Sequence, residues 1–256
     1  MPAKPRIALL AGEGWSTHAM YNGLRDEFEI VAVIIERKPS ALKMLRHRAR
    51  MLGWRETFGQ LCFILYSRLL SRAADMRIAM LMHRHGLSDT PIPGIAITPV
   101  ESANQKRVAA LLKKLAPQAV VVNGTRILSK KLLAAVDAPF INTHMGITPA
   151  YRGVHGGYWA LASDDRERCG VTVHLVDEGV DTGGVLYQAR IEPEDEDSFA
   201  TYPVLQLAAA LPLMKAALND AAEARLAPRT GKGTSKQWYH PTLWGYLSTR
   251  SRRGVK

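Results

Sequence analysis

Cysteine is scarce in this 256-residue chain, with only Cys62 and Cys169, and aromatic residues make up 7% of it. Two thiols outside any metal-ligand spacing exclude a disulfide framework and a zinc-binding motif, and they fit a reducing cytoplasmic setting. Neither has a base beside it in sequence, which argues against a thiol nucleophile, and Cys169 reads as packing next to a strand. The apolar segment 7–11 is too short for a signal peptide and follows Pro2 and Pro5. Repeats and low-complexity tracts are missing. Acidic residues are outnumbered, 23 against 34 Lys and Arg, for a net charge of +11. That balance suits an anionic small molecule without naming it.

What is present is strand and helix in alternation. Segments 7–11, 30–35, 95–98, 119–123, 139–141, 170–176 and 185–191 read as strands; 18–25, 104–115, 130–136 and 199–224 read as helices. Ser16 or Thr17 is expected to cap the first helix, and Pro203 and Pro212 to break or kink the last. This order predicts an α/β fold with a doubly wound, mostly parallel, Rossmann-like sheet. A 47% hydrophobic content over this length supports one substantial core. Residues 1–225 are expected to form the catalytic domain and residues 226–256 a basic, aromatic tail.

Between about 37 and 90 the alternation gives way to a helical insertion. Residues 37–85 hold eleven Lys and Arg against Glu56 and Asp75. Phe58, Leu61, Cys62, Leu65 and Leu69 recur at helical spacing, widened by Phe63 and Ile64, and this stripe is expected to pack on the domain or on a second copy in a homodimer. Peripheral membrane contact is less favoured, and the segment is too interrupted to span a bilayer. In the tail, seven basic residues are interleaved with Trp238, Tyr239, Trp244 and Tyr246. Docking of those rings on the main domain is favoured over stacking on a nucleobase, and no nucleic-acid partner is expected.

The residues most suggestive of chemistry are Asn142 and His144, read as entering a loop after strand 139–141, and Asp181, in the Gly-rich run 179–184. Loops at the carboxyl edge of an open parallel sheet are where ligands bind. An amide donor, an imidazole and a carboxylate that holds and charges the ring suit a developing oxyanion. Taken singly, each residue also fits a turn or cap. Gly12 and Gly14, with Trp15 and Ser16 following, form a second candidate, a turn whose backbone N–H groups could meet an anion.

The stretches VVVNGTRILS, INTHMGITPAYRGVHGGYWAL and GVTVHLVDEGVDTGGVLYQARI resemble the folate-dependent formyltransferase family, in particular its glycinamide ribonucleotide transformylase branch. Asn142, His144 and Asp181 fall on that family's catalytic Asn, His and Asp. The resemblance implies formyl transfer from 10-formyltetrahydrofolate to an amine, with no metal required. Asn142 and protonated His144 would stabilise the oxyanion, and Asp181 would orient His144 and help remove the amine proton. It also implies that Arg126, Ile127 and Leu128 border the folate, together with Val176, Asp177, Gly179 and Val180. His174 reads as a structural mid-strand histidine.

Trp15 stands where members that use glycinamide ribonucleotide carry small polar residues. With the insertion and the tail, this loop resembles the variable parts of sugar N-formyltransferases, which implies a nucleotide-linked amino sugar for surface polysaccharide synthesis as the acceptor. Glycinamide ribonucleotide formylation is the second reading and 10-formyltetrahydrofolate hydrolysis the third. Formylation of methionyl-tRNA, whose enzymes carry a larger carboxyl-terminal domain, is not expected.

Overall fold

Apolar, largely β-branched segments form the central sheet of the computed structural model, which describes residues 3–256. In chain order the elements are β1 (Arg6–Gly12), α1 (Trp15–Leu24), β2 (Glu29–Glu36), α2 (Ala41–Leu52), α3 (Trp54–Ala73), α4 (Asp75–Arg84), β3 (Ile97–Val100), α5 (Lys106–Leu115), β4 (Ala119–Asn123) and α6 (Lys130–Leu133). They continue with β5 (Phe140–His144), β6 (Arg152–Gly153), α7 (Gly156–Ala162), β7 (Gly170–Leu175), β8 (Val185–Arg190), α8 (Tyr202–Ala222), β9 (Gln237–Trp238) and α9 (Leu243–Arg253).

Seven strands make one sheet in the order β3-β2-β1-β4-β5-β7-β8. The first five run parallel, while β7 and β8 are antiparallel additions. Strand order reverses between β1 and β4, and a crevice at the carboxyl ends of the strands follows from that reversal. Period-two alternation divides each strand between two cores. Ile7, Leu9, Val121 and Ile141 face α1 and α8 through Met20, Leu24, Leu207 and Met214. Ala8, Leu10, Val120 and Val122 face α5 and its neighbours through Val108, Leu112 and Leu132.

Several local expectations are corrected. Asn142 and His144 lie within β5 rather than in a loop beyond it, because the strand continues to pair with β7. The N-cap of α1 is Gly14, with no side-chain cap; Thr17 Oγ1 instead donates to the Gly12 carbonyl at 2.7 Å. Residues 94–96 form a 3₁₀ turn before β3 begins. Helix α8 runs unbroken through Pro212, and Pro203 sits in its first turn, where a missing N–H costs nothing.

The insertion forms α2, α3 and α4, but most of the predicted stripe on α3 does not pack on the domain. Phe58, Leu61, Leu65 and Leu69 are exposed, whereas Phe63 is buried against Phe199 and Tyr246. The inner face uses Gln60, Phe63, Tyr66 and Leu70 instead. Helix α4 is tied down by Arg77, which pairs with buried Asp197 at 2.9 Å and with Glu194 at 2.8 Å. In the tail, β9 pairs with β6, Trp238 stacks on Tyr151 and Trp159, and Tyr246 of α9 is fully buried. Among the described residues no helix is long and apolar enough to cross a membrane.

Candidate active site

Alternation along β5 sends Asn142 and His144 to the same face, and the antiparallel register sets them opposite His174 and Thr172 of β7. The loop leaving β7 returns Asp181 to that face. Asp181 adopts φ 51°, a left-handed conformation that Asp tolerates better than most residues and that here aims its carboxylate back at the strands. Asp177 closes the loop by accepting from Gly179 N at 3.0 Å and from Thr182 Oγ1 at 2.7 Å. Arg152 Nη1 donates to the Val180 carbonyl at 2.8 Å.

The three expected residues converge. Asp181 Oδ2 lies 3.2 Å from His144 Nδ1 and accepts from Gly153 N at 2.9 Å. Asp181 Oδ1 lies 3.5 Å from Asn142 Nδ2 and 3.6 Å from His174 Nε2. His174 is therefore part of the cluster rather than the purely structural histidine its mid-strand position suggests; its match to the family is the signal that marks it. Its Nδ1 faces the Leu175 carbonyl at 2.7 Å and so carries a hydrogen, which leaves Nε2 beside Asn142 Nδ2 at 3.1 Å.

His144 is buried, and its Nε2 donates to the Tyr151 carbonyl at 2.6 Å. Gly146 makes room for this seating, since a Cβ there would meet the Tyr151 carbonyl at 2.4 Å and His144 Nε2 at 2.9 Å. With hydrogen on Nε2, the Nδ1 lone pair of a neutral ring faces a carboxylate, a position that favours a second proton. Burial nonetheless dominates and pushes the imidazole below its ordinary value, against the pull of Asp181 and the Tyr151 carbonyl. For Asp181, burial alone acts upward, but the neighbouring His174 and His144 imidazoles and the Gly153 N–H outweigh it and hold the carboxyl below its usual range. The resting site thus pairs an ionised carboxylate with a ring that takes a proton reluctantly.

These groups open onto a cleft of about 510 Å³, lined also by Val122, Ile127, Leu128, Val176 and Val180. Asp177, Gly179 and Arg126 line it too. The Arg126 guanidinium is already committed to Glu36 at 3.0 Å and to the carbonyls of Arg37 and Glu101. Trp15 and Ser16 reach the cleft, but Gly12 and Gly14 are not among its lining residues. Gly12 packs closely on the neighbouring loop, since a Cβ would lie 2.5 Å from the Gly124 carbonyl.

Residues 65–204 match a family model described as formyl transferase. Over 109 residues the chain is 39% identical to a methionyl-tRNA formyltransferase of Anaeromyxobacter dehalogenans, covering 42% of this chain and 35% of that protein. The chain spans less than two thirds of the length of the curated relatives it matches. Glycinamide ribonucleotide transformylase 1 from Symbiobacterium toebii has the same fold, with a TM-score of 0.57 at 22% identity over 90% of this chain and 95% of that one. An N-formyltransferase from Helicobacter canadensis, solved with folinic acid and dTDP-3-aminofucose, gives 0.55 at 15% identity over 91% and 70%. With more than half of its length matched by the family model, this chain belongs to the formyl transferase family.

Proposed function

We propose that this protein transfers a formyl group from 10-formyltetrahydrofolate to a primary amine. The observation that carries the reading is the meeting of Asn142, His144 and Asp181 at one end of the cleft, with the carboxylate 3.2 Å from the imidazole and 3.5 Å from the amide. Folate supplies the activated formyl carbon. The cleft suits its flat ring, with apolar Ile127, Leu128, Val176 and Val180 around a slot of the right order of size.

Asn142 Nδ2 donates to the formyl oxygen as negative charge builds there. A preorganised donor of this kind is worth about 2.7–4 kcal/mol in the transition state. Asp181 accepts the proton that the attacking amine must lose, directly or through one water. His144 shares that proton through Nδ1, and as the amine nitrogen bonds to the formyl carbon and the bond to folate N10 breaks, the proton passes to N10 of the departing tetrahydrofolate. His144 also donates to the oxygen from Nε2 once that N–H exchanges the Tyr151 carbonyl for the substrate.

The acceptor we propose is a nucleotide-linked amino sugar. Support comes from the basic chain, from Trp15 at the cleft, where an indole can stack on a sugar or base, and from the dTDP-3-aminofucose bound by the Helicobacter canadensis N-formyltransferase. The curated relatives favour methionyl-tRNA as a second acceptor. A formyl-transfer screen separates these. The full chain is incubated with 10-formyltetrahydrofolate and, in separate arms, nucleotide-linked amino sugars, glycinamide ribonucleotide, initiator methionyl-tRNA or no amine. Turnover only with an amino sugar supports the proposal; turnover only with the tRNA or the ribonucleotide replaces the acceptor. Formate release without an amine replaces transfer by hydrolysis.

A further inference from the structure

A second cavity, of about 200 Å³, adjoins the main cleft and shares Gly153, Val154 and Val180 with it. Its remaining walls come from the two segments outside the sheet: Arg48 of α2, Gln60 of α3, and Trp238 and His240 of the tail. Gln60 is 4% exposed, yet its carboxamide makes no hydrogen bond among the described residues. An amide on a cavity wall is free to pair with a ligand held there. Arg48, half-buried, has no ion pair or hydrogen bond among the described residues, and its burial lowers its pKa.

His240 completes the set. Its Nδ1 lies 2.9 Å from His155 Nε2. When His155 donates in that pair, His240 Nε2 carries a hydrogen of its own, with no acceptor among the described residues. Arg48, Gln60 and His240 thus line one recess that has no carboxylate among its lining residues. Charge-assisted hydrogen bonds from such donors to an anion's oxygens are stronger than neutral ones.

We propose that this cavity is the anion subsite for the acceptor, taking a phosphoryl or carboxylate group of the amine-bearing substrate onto Arg48 and Gln60. The inference rests on the transferase reading and adds to it how the acceptor is held. Position supports it. Val180 directly precedes Asp181, and Gly153, on the shared wall, donates its N–H to Asp181 Oδ2. An acceptor anchored there presents its amine close to the carboxylate that takes its proton.

The test needs neither folate nor an amine. Orthophosphate and acetate are titrated separately into the full chain, read by calorimetry and by the His240 ring resonances, assigned with His240→Gln. Saturable shifts with one of the anions are expected, and Arg48→Gln should weaken binding about 10- to 100-fold, the effect of losing a charged hydrogen bond. Arg48→Lys should keep part of the affinity, and Gln60→Leu should lose less than Arg48→Gln. Preference for phosphate assigns a phosphoryl group, and preference for acetate a carboxylate. No binding of either anion, or equal binding by wild type and Arg48→Gln, overturns the proposal. Arg48 is partly exposed, so its variants keep the test informative if Gln60→Leu fails to fold. Asp181→Asn separates the two readings, since it should lose formyl transfer while binding the anion as wild type does.

Discussion

Asn142 and His174 are register partners across β5 and β7, and their side chains meet at 3.1 Å although 32 positions separate them in sequence. The contact sets the orientation of the Asn142 amide. His174 Nε2 occupies one amide hydrogen, and the other is left to point toward Asp181 or a substrate oxygen.

His174→Ala is therefore expected to reduce kcat by about tenfold or more, with a smaller change in KM, because it frees the amide that meets the transition-state oxygen. In a double-mutant cycle with Asn142→Ala the losses should be clearly less than additive. Additive losses would show that the 3.1 Å contact has no part in turnover.

Replacing each of the three central residues tests the site itself. Asn142→Ala, His144→Ala and Asp181→Ala should each cut kcat by about 10²–10³ or more, on the scale of losing one oxyanion donor or a placed proton acceptor. Steady-state kinetics with the acceptor found by the screen measures this, and circular dichroism checks the fold. Near-wild-type turnover in any two variants would reject the assignment.

Helix α3 gives a stability prediction that separates its two faces. Phe63→Ala should cost about 3–5 kcal/mol, since Phe63 fills a buried site between Phe199 and Tyr246. Leu65→Ala and Leu69→Ala, on the exposed face, should change stability by less than about 0.5 kcal/mol. Urea unfolding gives both numbers. A large cost at Leu65 or Leu69 would mean that this face is covered in solution.

The His155 and His240 pair predicts a pH dependence of stability. Burial, reinforced by the neighbouring imidazole and Arg48, lowers His155 to about 3, while burial and Arg48 lower His240 to about 4. An unfolded imidazole titrates near about 6.5, so on acidification the unfolded chain binds these protons first. Their contribution is complete above about pH 6.5 and is lost as pH falls toward 4 and then 3. Urea midpoints taken from pH 7.5 down to 4 should decline for wild type and decline less for a double His155→Gln, His240→Gln variant. Parallel curves would contradict the buried neutral pair.

Much of the sheet is legible before any coordinates. The run at 119–123 is apolar and β-branched up to Asn123, and it forms β4 with the predicted bounds, buried throughout. Asn142, His144 and Asp181 also stand out, because their neighbouring glycines and flanking strands mark a ligand-bearing edge. The end of β5 is not legible, because Gly146 and Pro149 suggest an earlier break while pairing with β7 keeps residues through His144 in the strand. Which face of α3 packs on the domain is hidden from the sequence for a different reason. Two faces of that helix carry apolar residues, and the approach of Trp244 over Gly59 helps select the one containing Gln60 and Phe63.

The order of strands and helices, the family and the three polar residues at the sheet edge come from the sequence by itself, since each rests on local periodicity or on a contiguous motif. Tertiary structure alone decides that His174 joins those residues, that both nitrogens of His144 meet acceptors, and that Arg48, Gln60 and His240 line one recess. These are relations between residues far apart in the chain. Strand register and helix docking set them, and no local pattern encodes either.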